Sequence, residues 1–141
     1  MYIMKKRTPI STIMTTDLIT ISVNESLETV EKLFKENNIR HIPVVENKKI
    51  LGMLSYTDLL RISFADITDD EQNVDTFVYD MFTVEQVMAK DVFVVSSYAT
   101  IKDVSELLSK KEFHALPIVE DNELVGIVTT TDLIKYLVDQ L

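Results

Sequence analysis

Two glycines are all that this 141-residue chain contains, and they stand 74 residues apart, at Gly52 and Gly126. Two of its three prolines, Pro43 and Pro117, keep the same spacing. Applied without a gap, that offset aligns Met14 to Arg61 with Met88 to Lys135 and yields 12 identities in 48 positions. Among them are Asp17 with Asp91, Val30 with Val104, and Thr57-Asp58-Leu59 with Thr131-Asp132-Leu133. Of the other 36 pairs, 13 exchange one apolar residue for another, as Ile50 does for Leu124. The chain is a tandem duplication. Two copies are too few for a solenoid, which needs about three stacked units, so a pseudo-two-fold pair is expected.

Both copies carry one pattern. The segments Leu18 to Val23 and Val92 to Ser97 are rich in β-branched residues and predict a strand. After a polar turn, Leu27, Val30, Leu33 and Phe34 in the first copy, and Ile101, Val104, Leu107 and Leu108 in the second, mark one face of an amphipathic helix. Ser26 and Thr100 are its expected N-caps. In the first copy, Ile42 to Val45 and Ile50 to Leu54, parted by Glu46-Asn47-Lys48-Lys49, predict a strand, a turn and a strand, and a second helix begins near Thr57 or Thr131. The unit is β-α-β-β-α, with a short helical lead-in around Ser11 to Met14 and Glu85 to Met88. The expected class is α+β, layered, with the two repeats packed through their sheets, because about 60 residues bury an apolar face poorly alone. The expected division is repeat 1 with its lead-in over 1–62, a connector over 63–81 and repeat 2 over 82–141.

Composition narrows the chemistry. With no cysteine, disulfide scaffolds, thiolate metal sites and cysteine nucleophiles are excluded. No apolar run approaches the roughly 20 residues that span a bilayer. The basic start lacks a continuous apolar stretch and an Ala-x-Ala cleavage site, so no signal peptide is read and a cytoplasmic location is expected. The formal charge of −9 disfavours nucleic acid, whose phosphates are bound by lysine and arginine. Six of the acids, Asp66, Asp69, Asp70, Glu71, Asp75 and Asp80, lie between Ser63 and Met81 with no base among them, so the repeats are nearly neutral. That connector reads as a solvated loop with apolar anchor points at Phe64, Ile67, Phe77, Val78, Tyr79, Met81 and Phe82, or as an interface or ligand-covering segment.

Two constellations stand out. Ser55-x-x-Asp58 and Thr129-x-x-Asp132 sit where a strand ends and a helix begins. The pattern is that of a capping box, in which hydroxyl and carboxylate satisfy orphan helix amides. An ionised aspartate at a helix mouth equally suits a ligand that offers hydroxyl donors side by side, such as a ribose diol, and repels phosphate. The two histidines lie in Ile39-Arg40-His41-Ile42-Pro43 and Phe113-His114-Ala115-Leu116-Pro117, just before a buried strand. These groups are either an ordinary solvated strand start or a phosphate holder, with Arg40 as a bidentate fork and histidine as a donor.

With its lead-ins ending in Ile13-Met14 and Val87-Met88, its Ile42-Pro43-Val44-Val45 and Leu116-Pro117-Ile118-Val119 segments, and Gly52 to Asp58 matched by Gly126 to Asp132, the chain resembles a CBS domain pair, the Bateman module. The resemblance covers nearly everything but the connector and a few terminal residues. It implies a regulatory or energy-sensing module that binds AMP, ADP, ATP or a related adenosyl compound between its repeats, forms homodimers and signals to an effector protein that this chain does not name. By the same resemblance one site combines Thr129 and Asp132 with Thr8, Ile10, Ile39, Arg40, His41 and Pro43. The other combines Ser55 and Asp58 with Phe82, Val84, Phe113, His114 and Pro117. Thr8 matches a threonine that the family often sets at the nucleotide, whereas Phe82, its aligned partner, lacks the hydroxyl. The Asp132 site is therefore expected to be the better site for a phosphorylated nucleotide, and the Asp58 site to be empty, weaker or suited to a less charged ligand.

No obligatory cofactor or structural metal is expected, since the ligands would be scattered carboxylates. Magnesium could accompany a polyphosphate, held mainly by phosphate oxygens. No G-x-x-x-x-G-K-[ST], G-x-G-x-x-G or G-x-S-x-G occurs, and nothing pairs a base with a nucleophile, so catalysis is not expected. The other class to be weighed is a structural or oligomerisation module that keeps the fold without a ligand.

Overall fold

The computed structural model describes residues 7–64, except the Phe64 side chain, and 79–141. Ile67, Phe77 and Val78, three of the expected connector anchors, lie outside the described residues. The elements follow the chain as a 3₁₀ turn (Ile10–Thr12), α1 (Leu27–Asn37), β1 (His41–Glu46), β2 (Lys49–Ser55) and α2 (Tyr56–Phe64), then α3 (Val84–Val87), β3 (Val95–Ser96), α4 (Ile101–Lys110), β4 (Ala115–Glu120), β5 (Glu123–Thr129) and α5 (Thr130–Gln140). This is the mixed α+β, twice-repeated β-α-β-β-α order that the duplication predicts.

The chain forms two compact units. One is Ile19–Val92; the other joins the described residues through Leu18 to Phe93–Leu141. These units are cut differently from the sequence repeats, because each lead-in packs on the hairpin of the other copy. Thr15 bridges Ile127 through two backbone hydrogen bonds of 2.8 and 3.0 Å, and Ala89 bridges Met53 through two of 3.0 and 2.9 Å.

In the Ile19–Val92 unit, Leu27, Val30 and Phe34 on one face of α1 meet Ile42, Val44 and Leu54 of the β1–β2 hairpin, Leu59 of α2 and Val84 and Met88 of the lead-in. Ser26 caps α1 by accepting from Thr29 N–H at 3.1 Å, as expected, and Asn38 ends it in the left-handed region at φ 53°. Asn tolerates that conformation because its short polar side chain bonds locally. Tyr79, an expected anchor, is buried in this core, and its hydroxyl donates to Glu31 Oε2 of α1. The second unit has the matching core of Ile10, Ile101, Val104, Leu108, Leu116, Ile118 and Val128. Thr100 and Asp103 close a reciprocal capping box at the start of α4.

Both hairpins are antiparallel and turn through two residues with positive φ, Asn47 and Lys48 (51° and 68°) and Asp121 and Asn122 (52° and 65°). That is the I′ geometry whose twist matches the flanking strands. In each, the register slips by one residue beside the glycine, leaving Leu51 and Val125 as the extra residues of a bulge. The first predicted strand is much shorter than the sequence suggests. Only Ile21 bridges Val44 in one unit, and only Val95–Ser96 pairs with β4 in the other, both in parallel. Local β propensity made the longer segments plausible, but neighbouring strand backbone decides how far a ladder runs.

Candidate functional site

At the end of β2 and of β5 the chain turns directly into a helix, and the capping boxes form as the motif predicts. Ser55 N–H donates to Asp58 Oδ2 and Asp58 N–H to Ser55 Oγ, each at 3.0 Å. Thr129 N–H donates to Asp132 Oδ2 at 2.9 Å, and Asp132 N–H to Thr129 Oγ1 at 3.1 Å. Each carboxylate is half-buried at the mouth of a helix and spends Oδ2 on the cap. The remaining oxygens differ. Asp58 Oδ1 lies 3.6 Å from Arg61 Nη1, one helical turn on, whereas Asp132 Oδ1 has no partner among the described residues. Lys135, the residue aligned with Arg61, makes no ion pair with Asp132.

The strand starts named in the sequence lie beside these boxes in the same unit. Arg40 C=O accepts from Tyr56 N–H at 2.9 Å, and His114 C=O accepts from Thr130 N–H at 3.1 Å. His41 stands opposite Ser55, and Ala115 opposite Thr129. Arg40 and His114 are exposed, while Ile39 and His41 are half-buried. Phe113 is partly exposed and packs at a tilt on Phe93, with 6.1 Å between ring centres. Pro43 and Pro117 are buried in their strands.

Of the lead-in residues, Thr8 is half-buried, and its carbonyl accepts from Ile101 N–H at 2.8 Å. Ile10 and Val84 have no exposed surface and fill the cores of their units. Asp132, Thr129, Thr8 and Ile10 belong to the unit that holds α5, whereas Ile39, Arg40, His41 and Pro43 belong to the other.

Around Asp58 the structure assembles more than the sequence indicated. A cleft of about 300 Å³ within the Ile19–Val92 unit is lined by Asp58, Arg61, Ile62, Phe82, Gln86 and Val87. It unites Asp58 with Phe82, two residues named from the sequence, and adds four that were missed. The i,i+3 spacing of Asp58 and Arg61 was the available signal for one of them. Gln86 is N3 of a second capping box, accepting from Thr83 N–H at 2.9 Å through Oε1. Among the described residues no group of three or more His, Asp or Glu side chains is gathered as metal ligands, and no helix is long and apolar enough to cross a membrane.

Comparison with known proteins places these features in a family. Residues 10–65 and 84–139 match the CBS domain. The MJ0188 protein of Methanocaldococcus jannaschii is 33% identical over 134 residues, covering 93% of this chain. This chain spans 44% of that relative's length. Among solved structures, CBSX2 in complex with AMP superposes with a TM-score of 0.78 at 21% identity, covering 94% of this chain and 97% of the other. The CBS domain pair of MJ0100, in complex with 5′-methylthioadenosine and S-adenosyl-L-methionine, does so with 0.78 at 24%, covering 95% and 98%. With both halves of the duplication matched, this chain belongs to the CBS domain family, as a tandem pair.

Proposed function

We propose that the chain is a regulatory module that binds an adenosyl compound, AMP, ADP, ATP or a relative, and reports its presence to a partner protein. The observation that carries this reading is Asp132. Its carboxylate is fixed by the cap through one oxygen, and the other is left to accept a hydroxyl. A ribose diol is the complementary donor. Relatives of the same fold that hold AMP, methylthioadenosine and S-adenosylmethionine support the class of ligand. In this reading Thr8, of the same unit, serves with Asp132. Regulation then requires the ligand to bind two arrangements of the protein with different affinity, since equal affinity shifts nothing.

Isothermal titration calorimetry with AMP, ATP, adenosine and S-adenosylmethionine tests this on the wild type and on the Asp132→Ala and Asp58→Ala variants. Asp132→Ala is expected to weaken AMP by about tenfold or more, the scale of a charged hydrogen bond. If none of these ligands gave a saturable heat of binding at millimolar concentration, the adenosyl reading would fail. If Asp58→Ala alone abolished AMP binding, the assignment of the better site would fail.

A second reading, a structural or oligomerisation module, has one observation in its favour. Ile134, Leu137 and Val138, at i, i+3 and i+4 on α5, are 60%, 46% and 63% exposed. An apolar stripe of that kind suits a homodimer. Light scattering of wild type and Ile134→Glu/Val138→Glu would show whether the stripe holds two copies together.

A further inference from the structure

The two aspartates are equivalent in sequence and in capping geometry, yet they differ in what holds the second oxygen. Among the described residues no cation pairs with Asp132. Beside Asp58 stands Arg61, 3.6 Å away, 74% exposed, and itself part of the lining of the cleft. The rest of that lining is mixed. Phe82, Ile62 and Val87 offer apolar surface, and Gln86, with Oε1 taken by Thr83 N–H, has its amide N–H donors to offer. A cleft of about 300 Å³ with a few converging polar groups lies at the lower end of the range of small-molecule sites.

We propose that Arg61 determines the specificity of the Asp58 cleft, selecting an adenosyl ligand that carries an anionic group over a neutral nucleoside. The inference rests on the adenosyl reading given above. A neutral nucleoside whose hydroxyls reach Asp58 Oδ1 must displace the guanidinium and give it nothing in return. An anionic ligand displaces it and supplies a new partner, to which arginine can bond through two N–H groups at once. An exposed ion pair is weak, so Arg61 competes with the ligand rather than sealing the cleft. This departs from the expectation, drawn from Phe82 in the place of Thr8, that the Asp58 site is empty, weaker or suited to a less charged ligand. The sequence alignment pairs Arg61 with Lys135 and so hides the difference, because charge is retained and the contact is not.

The experiment measures AMP and adenosine binding by calorimetry in the Asp132→Ala protein, with and without Arg61→Ala. Asp132→Asn serves as a second background should the alanine variant melt early. Arg61→Ala is expected to weaken AMP by about tenfold, the worth of a charge-assisted bond, and to tighten adenosine by about two- to fivefold, the worth of the exposed pair it removes. If both ligands move in the same direction, or neither moves, the role of Arg61 is overturned. If wild type binds AMP but neither Asp132 background binds either ligand, the Asp58 cleft is no ligand site and this inference alone falls. If wild type also binds nothing, the adenosyl reading falls with it.

Discussion

Met88 lies so close to Gly52 that a Cβ built on the glycine would stand 2.5 Å from the methionine sulfur and 2.8 Å from the carbonyl oxygen of Ala89. Met14 repeats the relationship at Gly126, with 2.5 Å to sulfur and 3.1 Å to the Thr15 carbonyl. Neither glycine has positive φ. Both are therefore required for room, because the lead-in of one copy pairs its backbone with the hairpin of the other at these points.

Gly52→Ala is expected to destabilise the protein by about 1 to 3 kcal/mol, the usual cost of overpacking. Gly126→Ala should cost less, since Thr15 C=O stands further off than Ala89 C=O. Adding Met88→Ala should not restore Gly52→Ala, because the backbone carbonyl would still obstruct the methyl group. Urea unfolding of the wild type and the three variants measures this.

Thr129→Ala removes the hydroxyl that accepts from Asp132 N–H. A loss of about 1 kcal/mol is expected, as for other N-caps, with Thr129→Ser close to wild type. Chemical denaturation in the absence of any ligand separates this capping role from one in binding.

Acid should unfold the protein partly through two carboxylates. The Asp103 carboxyl is held below its ordinary value of 3.8 by hydrogen bonds from Thr100, first the backbone N–H and then the hydroxyl. At Glu31 burial pushes the carboxyl up, but the Tyr79 hydroxyl and the hydrogen bond and charge of Lys35 together hold it below its ordinary 4.5. A group depressed by folding contributes stability in full above its unfolded value, and the contribution is lost as pH falls through the folded one. Stability should therefore decline with falling pH from about those values, and Asp103→Asn and Glu31→Gln should each flatten the decline in a melting series from pH 6 to pH 2.

Lys48 occupies the left-handed region at φ 68° as the second residue of an I′ turn, where glycine is at ease. Lys48→Gly is expected to raise stability by up to about 1 kcal/mol, the left-handed cost being partly offset by the freer unfolded chain. Asn122→Gly should raise it less, because asparagine already tolerates that region. Differential scanning calorimetry compares the two.

Much of the fold was legible because the duplication let each element be read twice. The caps at Ser26 and Thr100, the reciprocal boxes at Asp58 and Asp132 and the hairpins around Asn47 and Asp121 all depend on residues within a few positions of one another, and local hydrogen bonding alone specifies them. The β-branched segments before α1 and α4 form shorter strands than their propensity suggests, since the extent of a ladder belongs to its neighbour as much as to its own sequence.

By itself the sequence determined the repeat, the order of its elements, the capping aspartates and their candidacy for a ribose. Only the tertiary structure decided that each lead-in is exchanged onto the other copy's hairpin, because that pairing joins residues more than 30 positions apart, as between Met53 and Ala89, through backbone hydrogen bonds, and a glycine that leaves room does not name which backbone fills it. It also decided that Asp58 is met by a guanidinium while Asp132 is not, since aligned Arg61 and Lys135 carry the same charge and differ in where that charge comes to rest.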